Sequence, residues 1–307
     1  MEYIEPYIPK TYSQLGLSAV GAAVAVWVLR ALLKKKKELA GKVVVITGAS
    51  SGIGEALAHE FVKNNCKVVL AARSIDKLER LKGELVEIYK VPVDSVTPFF
   101  LDLEDHSSIP SRCDSMISIY GKVDILINNA GIGCRAKIAD AELDTFKKVM
   151  NINYFGQIAV TKGILPHMIE KGGGTIVAVS SIQGRIALPG GSAYGATKHA
   201  LQAFSDSLRS ENKRHNIDVL VVSPSYVSTA IAHSTLSGKG KRISGDLLIS
   251  QQNKARVGMS PETCAVGIVH AIKTYETDYL IGPFHHRMIV YIRALCPWLY
   301  NFIMARL

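Results

Sequence analysis

Tyr194 and Lys198, in the run SAYGATKHALQAFSDSLRSE, are the residues whose types and spacing first suggest chemistry. Ala, Leu, Gln and Glu dominate from Thr197 to Glu211, and apolar residues recur at Ala200, Leu201, Phe204 and Leu208, the spacing of an amphipathic helix. Positions i and i+4 share one helix face. A phenol, with an ordinary pKa of about 10, is a poor proton shuttle at neutral pH unless its anion is stabilised. An ammonium about 5 Å away, at an effective dielectric of about 20, supplies roughly 3 kcal/mol, or about two pKa units. Any long helix can carry such a pair by chance, so the surrounding elements decide.

Those elements read as an alternation of strand and helix. KVVVIT (Lys42 to Thr47) is a β-branched run, followed at once by Gly48-Ala49-Ser50-Ser51-Gly52-Ile53-Gly54 and then by the helix-forming EALAHEFVKNN. Strand, glycine turn and helix in that order are the context of a dinucleotide-binding unit. The glycines let backbone approach a pyrophosphate, and the helix N-terminus stabilises its charge. Further strands are expected at residues 67–72, 96–101, 123–128, 175–180, 218–223 and 279–281, and helices at 75–89, 107–120 and, as one long element, 142–169. Strands apolar throughout and alternating with helices predict an α/β fold, a Rossmann-type doubly wound parallel sheet with helices on both faces.

Composition fits one large core with appendages: 307 residues, 48% hydrophobic and 20% charged. The five cysteines are odd in number and lack metal-ligand spacing, so buried thiols in a reduced compartment are expected and no metal is implied. No Asn-x-Ser/Thr sequon occurs. The net charge of +10 points to anionic ligands and anionic membrane surfaces; without a basic stripe interleaved with aromatics, nucleic acid is not an expected partner.

Residues 1–40 read as an N-terminal tail, a transmembrane anchor and a polylysine flank. Leu15 to Leu29 carries no charge, Arg30 can snorkel, and Ala31 to Leu33 extend the run to a length that spans a bilayer core. Glu2 and Glu5 precede the run and Lys34 to Lys37 follow it, the reverse of a cleaved signal peptide. The positive-inside rule then puts the domain that follows in the cytosol.

With these motifs in order, the chain resembles the short-chain dehydrogenase/reductase family from about residue 42 to residue 282. Thr47-Gly48-x-x-x-Gly52-x-Gly54 is similar to its cofactor glycine motif, Asn128-Asn129-Ala130-Gly131 to the motif after its fourth strand, and Asn153 in NINYFG to its helix asparagine. Ser181 stands where the family carries its substrate serine, and Tyr194-x-x-x-Lys198 completes the tetrad. NYFG, SSIQG and YGATKHALQAF, with the N-terminal run, most resemble the membrane-bound dehydrogenase/reductase member 7B subgroup. There are two departures: Ser225 follows Pro224 where the family has glycine, which is expected to reshape the nicotinamide pocket, and Thr197 stands where serine is commoner.

The resemblance implies roles. Tyr194 gives or takes the proton of the substrate oxygen, Lys198 lowers the phenol pKa and bonds the nicotinamide ribose, Ser181 holds the substrate oxygen, and Asn153 keeps a water in the proton path. It implies a cofactor site of Gly48, Ser50, Ser51, Gly52, Ile53, Gly54, Asn129, Ala130 and Gly131, with Asp102 on the adenine edge and Thr229 on the carboxamide or a phosphate. The second strand ends Ala71-Ala72-Arg73-Ser74 with no acid for a ribose hydroxyl, and Arg73 can clamp a 2′-phosphate, so NADP(H) is the expected cofactor.

Residues 226–258, rich in Ser, Gly and Lys, are expected as a mobile lid over the substrate. Past a catalytic domain of 41–285, residues 286–307 form an apolar segment, too interrupted by Arg293 and Pro297 to span, that meets the membrane or a second subunit in a homodimer. Ala305-Arg306-Leu307 resembles a peroxisomal tripeptide, which sets a peroxisomal membrane beside the endoplasmic reticulum as the expected location. The expected activity is NADPH-dependent reduction of a carbonyl on a lipophilic substrate, an acyl- or alkyl-dihydroxyacetone phosphate or a steroid or retinoid. The alternative is a catalytically idle NADP-binding membrane scaffold or redox sensor.

Overall fold

Strand β1 (Val43–Thr47) is buried at every position, and its side chains divide between two cores. Val44 and Ile46 face one and Val45 the other, as successive residues of a strand must. The same division recurs in β2 (Lys67–Ala72), where Val68 and Leu70 oppose Val69 and Ala71, and in β4 (Ile125–Asn128), where Ile125 and Ile127 oppose Leu126. A strand with no polar face can be stable only with helices on both sides of the sheet.

The computed structural model describes residues 36–229, 234–243 and 258–306. Seven strands form one sheet in the order β3-β2-β1-β4-β5-β6-β7, with every neighbouring pair parallel. The remaining strands are β3 (Val96–Phe100), β5 (Gly174–Val179), β6 (Ile217–Pro224) and β7 (Asp278–Ile281). The helices are α1 (Gly52–Lys63), α2 (Ile75–Tyr89), α3 (Ile109–Tyr120), α4 (Leu143–Met150), α5 (Gly156–Glu170), α6 (Ser192–Asn212), α7 (Pro261–Lys273), α8 (Phe284–Leu295) and α9 (Pro297–Met304). Strand order reverses between β1 and β4, and the crevice at their carboxyl ends is where such sheets hold ligands.

The single helix expected over residues 142–169 is two. α4 and α5 are separated by a π-turn, Asn151–Phe155, in which the Gly156 amide donates to the Asn151 carbonyl five residues back. The wider turn inserts a residue into the helical ladder. Asn153 lies within it and is fully buried: its side-chain oxygen accepts from the Ile132 amide at 2.8 Å, and its nitrogen donates to the Ile132 carbonyl at 2.9 Å. Hydrophobic periodicity carries no sign of such a turn, because it is set by contacts to a residue 21 positions away.

Four of the five cysteines are buried, Cys296 is half-buried, and all five are free. Burial pushes the thiols of Cys66, Cys113 and Cys264 up to about 12, leaving them inert at neutral pH. No helix among the described residues is long and apolar enough to cross a membrane; the expected anchor, Leu15 to Leu33, lies outside the described residues. So do 230–233 and 244–257 of the expected lid. Of its described residues, 226–229, 234–243 and 258, the middle stretch is tied to the body of the domain. Leu236 is buried and bonded to Gly133 and Arg135, and the Glu142 amide donates to the Gly238 carbonyl at 2.9 Å.

Candidate active site

A cleft of about 440 Å³ opens at the switch point between β1 and β4. One wall is the turn from β1 into α1. Gly48 has φ +68° and faces Ala130, whose Cα would lie 2.7 Å from a Cβ added there. Only glycine combines that conformation with that approach. At Gly54 a Cβ would collide with the Gly48 carbonyl, so this residue does not line the cleft but lets α1 pack directly behind the turn. Ser50, Ser51, Gly52 and Ile53 line the cleft at the α1 N-terminus. No side chain caps that end, so its backbone amides remain available to an anion.

Thr47 holds the facing wall. Its buried hydroxyl donates to the Ile127 carbonyl at 3.1 Å and accepts from the amides of Asn129 at 3.0 Å and Ala130 at 3.1 Å. The Asn129 side chain donates back to the Thr47 carbonyl at 3.0 Å and the Gly48 carbonyl at 3.2 Å. Asn129, Ala130 and Gly131 therefore line the cleft in fixed register with the glycine turn. Thr229 also lines it, its Cβ only 3.1 Å from where a Cβ at Gly52 would lie.

At the far end of the cleft lie Arg73, just past β2, and Asp102, just past β3. Asp102 accepts from the Glu104 amide at 3.0 Å. Sequence reasoning missed Lys77, which lines the same end from the first turn of α2, and Arg242 and Ser234 from the described portion of the lid. Lys77 is an exposed lysine four residues after Arg73, with no motif in the sequence to set it apart. Arg73 and Lys77 form no direct salt bridge among the described residues, Lys77 lying only within electrostatic reach of Glu55, so both cations line the cleft.

The reacting end is built by α6. Tyr194 and Lys198 both line the cleft, and the Lys198 Nζ lies 5.6 Å from the centroid of the phenol ring. Nζ also donates to the Val179 carbonyl at 2.8 Å. The distance matches the one the helical spacing predicts, but the pKa balance does not. Burial pushes the Tyr194 phenol up to about 12, with a hydrogen bond from Ser181 pulling it back, and burial pulls the Lys198 ammonium down to about 8. Desolvation outweighs the attraction between ammonium and phenolate. At neutral pH the phenol is thus protonated, the form that donates.

Ser181 does not line the cleft wall; it caps a single 3-10 turn, Ile182–Gly184, accepting from the Gln183 amide at 3.1 Å, with its hydroxyl in reach of Tyr194. Asn153 stays behind the wall, joined to α6 through Thr197: its amide donates to the Thr197 hydroxyl at 3.4 Å, and that hydroxyl donates to the Tyr194 carbonyl at 2.7 Å. The threonine that replaces the commoner serine keeps this link. Beneath Ser181, Ser180 donates to the Lys198 carbonyl at 3.1 Å, and Gln202 donates to both Ser180 and Ser223. Ser225, expected to reshape the pocket, is buried and away from the cleft lining. Its hydroxyl is hydrogen-bonded to Nδ1 of His286 on α8, so the extra side chain joins β6 to the C-terminal helices.

A glycine turn and helix terminus suited to a pyrophosphate, cations at one end and a half-buried phenol with serine, lysine and asparagine at the other make a site for hydride and proton transfer. The chain belongs to the short-chain dehydrogenase/reductase family, as an oxidoreductase: the short chain dehydrogenase profile matches residues 42–240. It is 42% identical over 285 residues to the dehydrogenase/reductase SDR family protein 7-like of Drosophila melanogaster, covering 93% of this chain and 86% of that one. To the dehydrogenase/reductase SDR family member 7B of Mus musculus it is 41% identical over 273 residues, covering 89% and 83%. Among solved structures, it is similar to a short chain dehydrogenase/reductase from Burkholderia phymatum in complex with NAD (TM-score 0.75, 23% identity, 86% and 96% covered). It is also similar to L-sorbose reductase from Gluconobacter frateurii complexed with NADPH and L-sorbose (TM-score 0.68, 30% identity, 79% and 95% covered).

Proposed function

We propose that the protein is an NADPH-dependent carbonyl reductase acting on a lipophilic substrate at a membrane surface. The observation that carries this reading is the cleft itself, with Arg73 and Lys77 at one end and Tyr194 paired with the buried Lys198 at the other. The cofactor supplies the hydride. The pyrophosphate would sit against the α1 N-terminus between Gly48 and Gly131, and Arg73 with Lys77 would take a 2′-phosphate, for which no competing carboxylate ends β2.

The remaining steps belong to side chains of this chain. Ser181 orients the carbonyl oxygen, and Tyr194, protonated at neutral pH, gives that oxygen its proton as negative charge develops there. Lys198, charged below about pH 8, stabilises the tyrosinate that results and returns its proton. Asn153, locked to Ile132 and Thr197, holds the π-turn on which the proton path to Lys198 is built.

The membrane part of the reading rests on sequence: Leu15 to Leu33 followed by Lys34 to Lys37 is a single-pass anchor that leaves the catalytic domain in the cytosol, in the endoplasmic reticulum by preference. A substrate drawn from the bilayer follows, and the net charge of +10 favours an acyl- or alkyl-dihydroxyacetone phosphate over a steroid or retinoid. The test is NADPH consumption by detergent-solubilised protein against acyl-dihydroxyacetone phosphate, retinal, a 17-ketosteroid and a fatty aldehyde, with Tyr194→Phe as blank. Turnover of one class that disappears in the variant establishes reaction and substrate class together. NADPH binding with no turnover of any would instead make the protein a scaffold or sensor.

A further inference from the structure

Among the described residues, large exposed apolar side chains outside the C-terminal helices are scattered along the chain, from Ile88 to Tyr275. The C-terminal helices differ. Phe284, Met288, Tyr291 and Leu295 are exposed at four-, three- and four-residue steps and so share one face of α8; Trp298 and Phe302 continue the patch on α9. Leu295 is 83% exposed and Trp298 71%. The opposite side of the same helices is already occupied: Ile289, Val290, Ile292 and Met304 pack with Tyr300 against Ile182, Ile186 and Leu188. The exposed face is thus a second apolar surface, not a core face that failed to close. Contiguous exposure of this kind marks an interaction site.

We propose that the outer face of α8 and α9 lies in the headgroup region of an anionic lipid bilayer. The charge pattern selects this occupant. From Tyr279 to Leu307 there is no Asp or Glu, while Arg287, Arg293 and Arg306 are present with His285 and His286. Arg293 is turned inward, donating to the Arg185 carbonyl and to His199 at 2.8 Å, so the outward cations are Arg287 and Arg306. Arg306 lies over the Phe302 ring, 3.4 Å from its centroid. A two-fold contact between copies would cover this patch with a second copy of itself, which brings Arg287 and Arg306 no Asp or Glu side chain as a partner. Anionic headgroups supply the missing negative charge, and Trp, Tyr and Arg are the residues that settle at that depth.

The inner side of the element gives the docking a consequence for the site. The Tyr300 hydroxyl donates to the Ala187 carbonyl at 2.8 Å and accepts from the Ala187 amide at 3.0 Å, and Arg293 grips the neighbouring Arg185. These residues follow Ser181 directly in the chain, so the lipid-facing helices brace the loop between the substrate serine and α6. A membrane on the outer face therefore lies against the substrate end of the cleft rather than the nucleotide end.

This proposal concerns other residues than the N-terminal anchor and can fail separately from it. The chain has two tryptophans, Trp27 and Trp298, so Trp27→Phe in the full-length protein leaves Trp298 as the only reporter. The protein is reconstituted in phosphatidylcholine–phosphatidylserine vesicles with and without dibrominated acyl chains, and flotation reports attachment. The expected result is at least two-fold bromine quenching of Trp298, lost when Tyr291→Glu and Leu295→Glu are added although the protein still floats. Flotation with Trp298 open to iodide and untouched by bromine would overturn the proposal while leaving the anchor intact. Shielding from both quenchers would also overturn it, in favour of a second copy or residues 1–35 as the cover. Failure to float would overturn both readings.

Discussion

At the nucleotide end of the cleft the walls are mostly backbone, the turn at Gly48 to Ile53 facing Asn129 to Gly131 and cross-linked through the Thr47 hydroxyl. At the reacting end they are side chains of α6, set between a π-turn on one side and a loop braced by the C-terminal helices on the other. The nucleotide end asks little of any one side chain, because amides and a helix terminus bind the ligand. The reacting end asks for one phenol in one protonation state. The first should therefore tolerate changes that the second does not.

The largest effect is expected where that contrast is sharpest. Tyr194→Phe removes the proton donor and leaves the cleft's backbone untouched, so turnover should fall by roughly 10³-fold, within the range for loss of a general acid. The cofactor Kd should stay within about two-fold, since no backbone donor is lost. A variant that kept its kcat would end the assignment of Tyr194 as acid, and one that lost cofactor binding would erase the distinction between the two ends.

The nucleotide end has one place where side chains do decide, the two cations. Arg73→Asp should shift the ratio of kcat/KM for NADPH to that for NADH by roughly 10–100-fold, the equivalent of losing one or two charge-assisted hydrogen bonds. Lys77→Ala should shift it the same way by less, because an ammonium is a point charge where the guanidinium is a fork. An unchanged ratio in both would show that the phosphate is read elsewhere on the cleft, with Arg242 the next candidate.

The two ends were not equally legible in the sequence, and the reason is the same contrast. Glycines that must have a positive φ or no Cβ are conspicuous as a motif, and the all-apolar strands announced a sheet covered on both faces. The Tyr194–Lys198 spacing was equally plain, because a helix converts it directly into a distance. What stayed hidden depends on long-range contacts: the π-turn around Asn153, the burial that raises the phenol instead of lowering it, and the use of Ser225 as a tie to α8. Lys77 was missed for a smaller reason, since an exposed lysine on a helix has no signature until its neighbours across the cleft are known.

Burial of the pair gives a pH prediction that separates the ends again. Reduction needs Tyr194 protonated and Lys198 able to return a proton. With the phenol at about 12 and the ammonium at about 8, both forms are present at pH 7, and only the lysine is lost as pH rises toward 9. The carbonyl reduction rate should be flat below about pH 7 and fall toward tenfold per pH unit above about 8, in the direction set by loss of the ammonium. Cofactor Kd should change far less over the same range. A rate still level at pH 10 would mean that bound cofactor restores the Lys198 pKa to its ordinary value.

The smallest effect tests how far the reacting end extends. Ser225→Gly restores the residue the family carries after β6 and deletes the hydrogen bond to His286, one contact among several that hold α8. Loss of one partly buried hydrogen bond costs about 0.5–1.5 kcal/mol, and glycine adds a little through the entropy of the unfolded chain. A fall in Tm of a few degrees is therefore expected, with cofactor KM within about two-fold, because Ser225 is absent from the cleft wall. A tenfold change in cofactor KM would place Ser225 back in the nicotinamide pocket. A change confined to the KM of the lipid substrate would mean that the tie between β6 and α8 positions the loop after Ser181, and that the C-terminal helices belong to the reacting end as much as α6 does.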